Sequence, residues 1–145
     1  MTLTLDINVL VARTDVENAH HARALKAFDE LLRGDEFVYL FWPVVVGYVR
    51  VVTRPGLLRA PLTLAAALEN VDRLLQLPFV RVAAEAPDFW QRLRAVAEPL
   101  PARGKLIHDA HLAALMHQHA VPTIWTNDRD FRKFDGIHVV DPFAD

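Results

Sequence analysis

Three aspartates, Asp6, Asp109 and Asp128, fall where a regular fold presents side chains at the ends of its elements. Asp6 follows the alternating segment Thr2 to Leu5, which reads as a short strand, and Asp128 follows the β-branched run Thr123 to Thr126. Asp109 lies in the first turn of a helix predicted over Ile107 to His119. If the two strands are neighbours in a parallel sheet, Asp6 and Asp128 leave it at one edge, and a nearby helix start brings in Asp109. Two carboxylates about 4 Å apart repel by roughly 4 kcal/mol at an effective dielectric near 20, so such a group needs protons or a cation. Hard oxygen ligands suit Mg²⁺ or Mn²⁺, which keep several waters and bridge to phosphate oxygens. The chemistry that follows is metal-assisted hydrolysis of a phosphodiester, with the ion acidifying water and offsetting charge on the phosphate.

Each acid also has a structural reading. Asp109 suits the positive end of a helix dipole, and Asp128 suits a turn or the cap of a short helix over Asp130 to Phe134. Asp6 is set among Leu3, Leu5, Ile7, Val9 and Leu10, where an acid has less structural excuse. Asn8, two residues on, either hydrogen-bonds a ligand carboxylate or bound water or simply caps a helix. Other chemistries find little to use. Without cysteine there is no disulfide framework, thiolate metal site or cysteine nucleophile. His20 and His21 point apart on a helix, and His108 and His111 share a face but lack a third zinc ligand. No glycine-rich phosphate loop, nucleophile elbow or dinucleotide fingerprint occurs.

The elements that must position these acids alternate. Helices are predicted from Ile7 to Arg13, Asn18 to Arg33, Pro43 to about Thr53, Leu62 to Leu75 and Pro87 to near Pro99. Strands are predicted over Phe37 to Phe41, Phe79 to Val82 and Ile137 to Val140. In the second helix Ala22, Leu25, Phe28, Leu31 and Leu32 recur at helical spacing; in the fourth, Leu62, Ala65, Ala66, Leu68 and Val71 are the candidate core. Strands alternating with helices give an α/β domain with a mainly parallel sheet, whose ligand sites lie at the carboxyl ends of strands. No repeat, linker or low-complexity tract divides the chain, so residues 1–145 read as one domain.

The chain is 52% hydrophobic and 23% charged, within the globular range, and its net charge of −2 argues against indiscriminate capture of nucleic acid. The charge is uneven. No acid occurs from Phe37 to Leu68, where Arg50, Arg54 and Arg59 fall, and Arg103, Lys105 and His108 form a second basic island. This fits an acidic interior site with basic flanks as well as it fits solvated helix faces. The early Asp6 and the absence of any uncharged run long enough to cross a bilayer give a cytoplasmic expectation with no membrane partner.

Four segments taken together resemble the PIN-domain family. Leu5 to Ala12 (LDINVLVA) is similar to its opening motif, and Phe41 to Pro55 (FWPVVVGYVRVVTRP) to the second motif of mycobacterial-type VapC toxins. Asp109 to Leu115 (DAHLAAL) and Thr126 to Phe131 (TNDRDF) resemble the third and fourth, and the His21-x-x-Ala24 step fits that subgroup. The resemblance implies a five-stranded parallel sheet in order 3-2-1-4-5 flanked by helices. It implies a Mg²⁺- or Mn²⁺-dependent endoribonuclease that is the toxin of a type II toxin–antitoxin system, a homodimer, and a VapB-type antitoxin that blocks the site. Carried over, Asp6, Asp109 and Asp128 are the metal-site acids, Thr126 takes the Ser/Thr position before the last acid, and Asp130 is an auxiliary acid or helix cap. Arg50, Arg54 and Trp42 are candidate RNA contacts through phosphate and base stacking. The sequence departs from most PIN nucleases at Gly47, where they carry Glu. Loss of that carboxylate weakens metal binding, whereas helix packing is the structural explanation. Two alternatives are a PIN-like module that binds without cutting and a haloacid dehalogenase-type phosphatase, which would want an Asp where Asn8 stands.

Overall fold

The computed structural model describes residues 2–145, in which strands alternate with helices as the periodicity requires. β1 (Thr2–Leu5) passes through Asp6 into α1 (Ile7–Thr14), and α2 (His21–Arg33) leads to β2 (Phe37–Phe41). α3 (Trp42–Thr53) and α4 (Leu64–Leu75) connect to β3 (Val80–Ala83), and α5 (Phe89–Ala97) and α6 (Lys105–Gln118) lead back to β4 (Thr123–Trp125). A 3₁₀ turn (Arg129–Lys133) precedes β5 (His138–Val140). The sheet has five strands in order β3-β2-β1-β4-β5, all parallel, as the resemblance implied.

That order decides where a site can form. From β1 the chain builds outward to β2 and β3, then returns across the sheet to place β4 on the other side of β1. Right-handed crossovers in opposite directions put their helices on opposite faces, so α1–α4 form one layer and α5–α6 the other. The helix contacts agree: α1 meets α2 and α3, α3 meets α4, and α5 packs on α6. The strand order reverses between β1 and β4, and their carboxyl ends frame the crevice where α/β sheets bind ligands. Leu5 is in register with Trp125, so Asp6 and Thr126 emerge side by side.

With both faces covered, the central strands are largely buried, apart from exposed Phe37 at the start of β2. Leu3 and Leu5 of β1, Val38, Leu40 and Phe41 of β2 and Ile124 of β4 all belong to one core. The one polar residue deep in β1, Thr4, donates its hydroxyl proton to the carbonyl of Tyr39 at 2.6 Å. The outer helices differ in detail from the periodicity. α2 buries Ala24, Ala27, Phe28 and Leu31, while Ala22, Leu25 and Leu32 face outward. In α4 the core face is Ala67, Val71 and Leu74, and Ala65 and Leu68 are exposed. In both, the apolar stripe is wider than the surface available to cover it, so the buried face is displaced by one or two positions.

Gly47 is where α1 and α3 approach. A Cβ placed there would lie 2.5 Å from Ile7 Cδ1 and 3.3 Å from Ile7 Cγ1. Ile7 therefore fills the space into which a glutamate at 47 would project, and helix packing accounts for the glycine. Gly47→Glu must push aside the Ile7 δ-methyl, the movable end of that side chain, and is expected to destabilise the fold by about 1–2 kcal/mol, the low end of overpacking. Combining it with Ile7→Ala should recover part of that loss, with a favourable coupling of about 1 kcal/mol in a denaturant-based double-mutant cycle. Strict additivity would show that Ile7 is not the obstacle.

Candidate metal centre at the sheet switch point

The site is built on one buried hydroxyl. Thr126 is 1% exposed, and its Oγ1 donates to Asp6 Oδ2 at 2.8 Å. The same oxygen accepts the backbone N–H of Asp128 at 3.0 Å and Asn8 Nδ2 at 3.0 Å, which uses its full capacity. Asp6 is fixed further: its Oδ1 accepts the N–H of Ile7 at 2.8 Å, capping α1, and Asn8 Nδ2 also reaches its Oδ2 at 3.3 Å. Asn8 sits inside α1 and supports the acid; it is no cap. Asp128, not Asp130, caps the 3₁₀ turn, with Oδ1 accepting the N–H of Asp130 at 3.0 Å. Asp130 sits in the first turn and pairs with Lys133 at 3.3 Å.

α6 begins at Lys105, two residues earlier than the periodicity suggested, so Asp109 stands beyond the first turn and does not serve the helix dipole. It is 2% exposed, against the expectation for a structural acid at a helix start. Oxygens of Asp109, Asp128 and Asp130 lie within 4.8 Å of one another. Asp6 is not within that tight group, but it lines the same cavity, of about 340 Å³, as Asn8, Asp109 and Asp128. The sequence-predicted acids are thus brought to one place, with Asp130 closer to the cluster than its auxiliary role implied.

Electrostatics follow from this crowding. Burial pushes the Asp6 carboxyl above its ordinary value, opposed by the hydrogen bonds from Thr126 and Ile7. Burial raises Asp109 further, to about 6, against the pull of the Lys105 ammonium. Asp128 is partly buried too, but Lys105 and the N–H of Asp130 outweigh that and hold it below the usual range. The Lys105 ammonium touches Asp109 Oδ2 at 3.2 Å and also contacts Asp128 Oδ2. Asn8 Oδ1 and His108 Nε2, on two residues that line the cavity, are buried without a hydrogen-bond partner. Clustered carboxylates that a single ammonium offsets only in part are a donor set that fits a hydrated divalent cation.

Lys105, His108 and Asn18 line this cavity and were not singled out as site residues from the sequence. Beyond its place in the basic island, the signal that could have found Lys105 is its i,i+4 spacing to Asp109. Arg129 and Arg132 line an adjoining cavity with Thr126, Asn127 and Asp128. Trp42 is exposed at the start of α3 and Arg54 at its end, and neither lines the acidic cavity. Arg50 is also outside the lining, although its charge is felt at His108. Several other histidines have structural partners: His21 Nδ1 meets the Ala12 carbonyl at 2.8 Å, and His111 Nε2 meets Glu85 at 2.7 Å.

A family model described as the PIN domain matches residues 3–137. The chain is 48% identical over 144 residues to Ribonuclease VapC48 of Mycobacterium tuberculosis, covering 99% of each. It is 30% identical to Ribonuclease VapC37 of the same organism, covering 97% of this chain and 96% of that one. The chain belongs to the PIN-domain family, in its VapC ribonuclease branch. Solved structures share the fold at low identity. VapC20 of M. tuberculosis, a Sarcin-Ricin loop cleaving toxin, matches with a TM-score of 0.68 and 19% identity, over 94% of this chain and 98% of that one. VapBC2 from Rickettsia felis, bound to a promoter DNA fragment, matches with a TM-score of 0.66 and 14% identity, over 97% and 98%.

Two substitutions test the site's energetics. Thr126→Val should cost about 1–3 kcal/mol, because it strips a donor from buried Asp6 and an acceptor from the Asp128 N–H; Thr126→Ser should stay near wild type. Equal melting temperatures for wild type and Thr126→Val would remove the hydroxyl from its central place. Asp109 binds its proton more tightly folded, at about 6, than at the ordinary 3.8. Its contribution to stability is therefore greatest in acid and is lost as pH rises through 6. In excess chelator, Asp109→Asn should stabilise the protein by on the order of 1–2 kcal/mol at pH 8, with the gain shrinking towards pH 5. Thermal melts across that range check the sign.

Proposed function

We propose that this chain is a divalent-metal-dependent endoribonuclease acting as the toxin of a type II toxin–antitoxin pair, with residues 1–145 working as one PIN unit. The observation that carries the reading is the convergence of Asp6, Asp109 and Asp128 on one cavity at the β1–β4 switch point. Asp6, Asp109 and Asp128 would hold Mg²⁺ or Mn²⁺, with Asp130 beside them, its carboxylate within 4.8 Å of those of Asp109 and Asp128. When bound, such an ion supplies Lewis acidity towards a phosphate oxygen and lowers the pKa of water.

The chain's own residues do the rest. Thr126 and Asn8 fix Asp6 in orientation, and the Asp128 turn aims its second oxygen at the cavity. Ile7, Val11 and Val51 give the cavity apolar walls, which strengthen every charge interaction inside it. Arg129 and Arg132 line a second cavity that shares Asp128 with the acidic one and would meet the RNA backbone beside the acids. Arg50 reinforces that field from α3, while Arg54 and Trp42 would contact RNA only at a distance from the cut.

VapC48 is a ribonuclease and VapC20 a Sarcin-Ricin loop cleaving toxin, which supports RNA as the substrate here. Solved relatives include the VapBC2 pair and FitAB, the latter bound to an IR36 DNA fragment, which supports a VapB-type antitoxin as partner. Exposed Val46, Leu57, Leu64 and Leu68 around α3 and α4 are apolar surface of the kind a homodimer or antitoxin covers. No helix among the described residues is long and apolar enough to cross a membrane. Gly47 favours no loss of activity: Ile7 explains it, and the remaining acids keep their supports. A dehalogenase-type phosphatase is disfavoured, since Asn8 replaces the needed acid and its amide is committed to Asp6 and Thr126.

The test is cleavage of total cellular RNA by purified, antitoxin-free protein. Fragments should form with Mn²⁺ or Mg²⁺ and vanish in excess chelator. Asp6→Ala should lower the rate by at least about 10–100-fold, the loss typical of removing even an outer partner of a metal site. Undiminished cleavage in chelator, or by Asp6→Ala, would sink the reading.

A further inference from the structure

The cation already among the acids is Lys105, and several observations make its place unusual. It is the first residue of α6, where the helix dipole disfavours a positive charge. The preceding residue is Gly104, at φ +58°, which offers no side-chain cap, and the first turn of the helix holds no acid. Apart from the i,i+4 pair with Asp109, local helix chemistry gives no reason for a lysine at this position. Its partners do. The ammonium bridges Asp109 and Asp128, carboxylates that belong to different elements 19 residues apart in sequence and that repel each other within the acidic cluster.

The bridge is also incomplete. Lys105 spans two carboxylates only, and Asp6, a third carboxylate lining the same cavity, has no ion-pair partner among the described residues. A single tethered ammonium brings one charge to this group, whereas a divalent ion with its waters brings two and presents ligands in several directions. The Lys105 side chain is 67% exposed, so its stem can swing out to solvent with little loss of packing and a gain in rotamer freedom. Asp109, by contrast, is buried and cannot follow.

We infer that Lys105 is a tethered counter-cation of the acidic cavity, clamping Asp109 to Asp128 until a divalent ion displaces it. The inference rests on the metal-binding reading of the site. In this role the lysine sets the threshold for loading: it stabilises the ion-free fold, and it competes with the ion for the same two oxygens. Its charge is attached to the chain, so the competition is independent of protein concentration but weakens with added salt.

Calorimetric titration of Mn²⁺ into chelator-treated wild type, Lys105→Met and Lys105→Arg tests this without any RNA. Lys105→Met keeps the stem length and removes the charge; it should bind Mn²⁺ about 3- to 10-fold more tightly than wild type, as expected for loss of a partly exposed ion pair. The advantage should narrow in high salt. Lys105→Arg, with a forked guanidinium that suits two carboxylates, should bind Mn²⁺ more weakly than wild type. In chelator, Lys105→Met should melt below wild type, and the gap should close when Mn²⁺ is added. If Lys105→Met does not fold, the arginine variant and the salt dependence of wild-type binding still decide. Equal or weaker Mn²⁺ binding by Lys105→Met, or equal binding by Lys105→Arg and wild type, overturns the counter-cation role and leaves the metal reading standing. If neither wild type nor Lys105→Met binds Mn²⁺ or Mg²⁺, both readings fall together.

Discussion

The Thr126 hydroxyl donates to Asp6, joining the ends of β4 and β1 where their directions of growth part, and receives the N–H of Asp128 two residues on, which fixes the turn carrying that acid. The arrangement is possible only because Leu5 and Trp125 are in register in a parallel pair. A one-residue slip would turn Asp6 to the opposite face of the sheet and bring an apolar neighbour beside Thr126. The register in turn is held by the core on both faces: Leu3 and Leu5 on β1 and Ile124 on β4 are buried, and each would be misplaced by the same slip. Thus the hydrophobic pattern fixes the acids in position, and the acids contribute nothing comparable in return.

Their contribution runs the other way. Asp6 and Asp109 ionise reluctantly because they are buried, and what opposes that reluctance is local: Thr126 and the start of α1 for one, Lys105 for the other. Most of the chain's other ion pairs are exposed helix-surface pairs such as Arg33–Asp29 and Arg73–Glu69, worth little to the fold. Stability is therefore drawn from the apolar layers and partly given up at the switch point. This division is expected of a site that must present charge to a ligand, because groups fully satisfied within the protein have nothing left to offer.

Much of this was legible in the sequence, and the reasons differ by feature. The strands and the sheet class were readable because buried parallel strands are short, β-branched and bounded by helix-starting residues such as Pro43. Asp6 and Asp128 were readable because a strand end is a fixed address in such a sheet. Asp109 was found for an incomplete reason. Its distance from the helix start depends on where α6 begins, and Gly104 lets the helix start earlier than its apolar pattern does. Asn8 was open between two roles because the difference lies in a partner 118 residues away, Thr126. Lys105 was seen as part of a basic island, yet the hydrogen bond that makes it a site residue crosses to Asp128, on another element. Outer-face leucines such as Leu25 and Leu68 were misplaced because an amphipathic stripe shows which residues could be buried, not how much neighbouring surface exists to bury them.

The net charge of −2 illustrates the same limit from the side of function. Taken over the whole molecule it argues against a polyanionic ligand, since attraction to nucleic acid grows with the number of phosphates that cations meet. The fold redistributes that charge. Four of the eighteen acids, Asp6, Asp109, Asp128 and Asp130, are gathered in and beside one cavity, where Lys105 and Lys133 offset them. Arg129 and Arg132 are left exposed on the adjoining rim, and the acid-free stretch from Phe37 to Leu68 adds Arg50 on α3. A backbone approaching the switch point would meet cations first and the carboxylates only at its centre. Within a Debye length of about 10 Å, that local order outweighs the sign of the total. For a nuclease built on acids, near-neutral net charge is consistent with binding a polyanion, provided the acids are confined to the place where a metal ion is to be held.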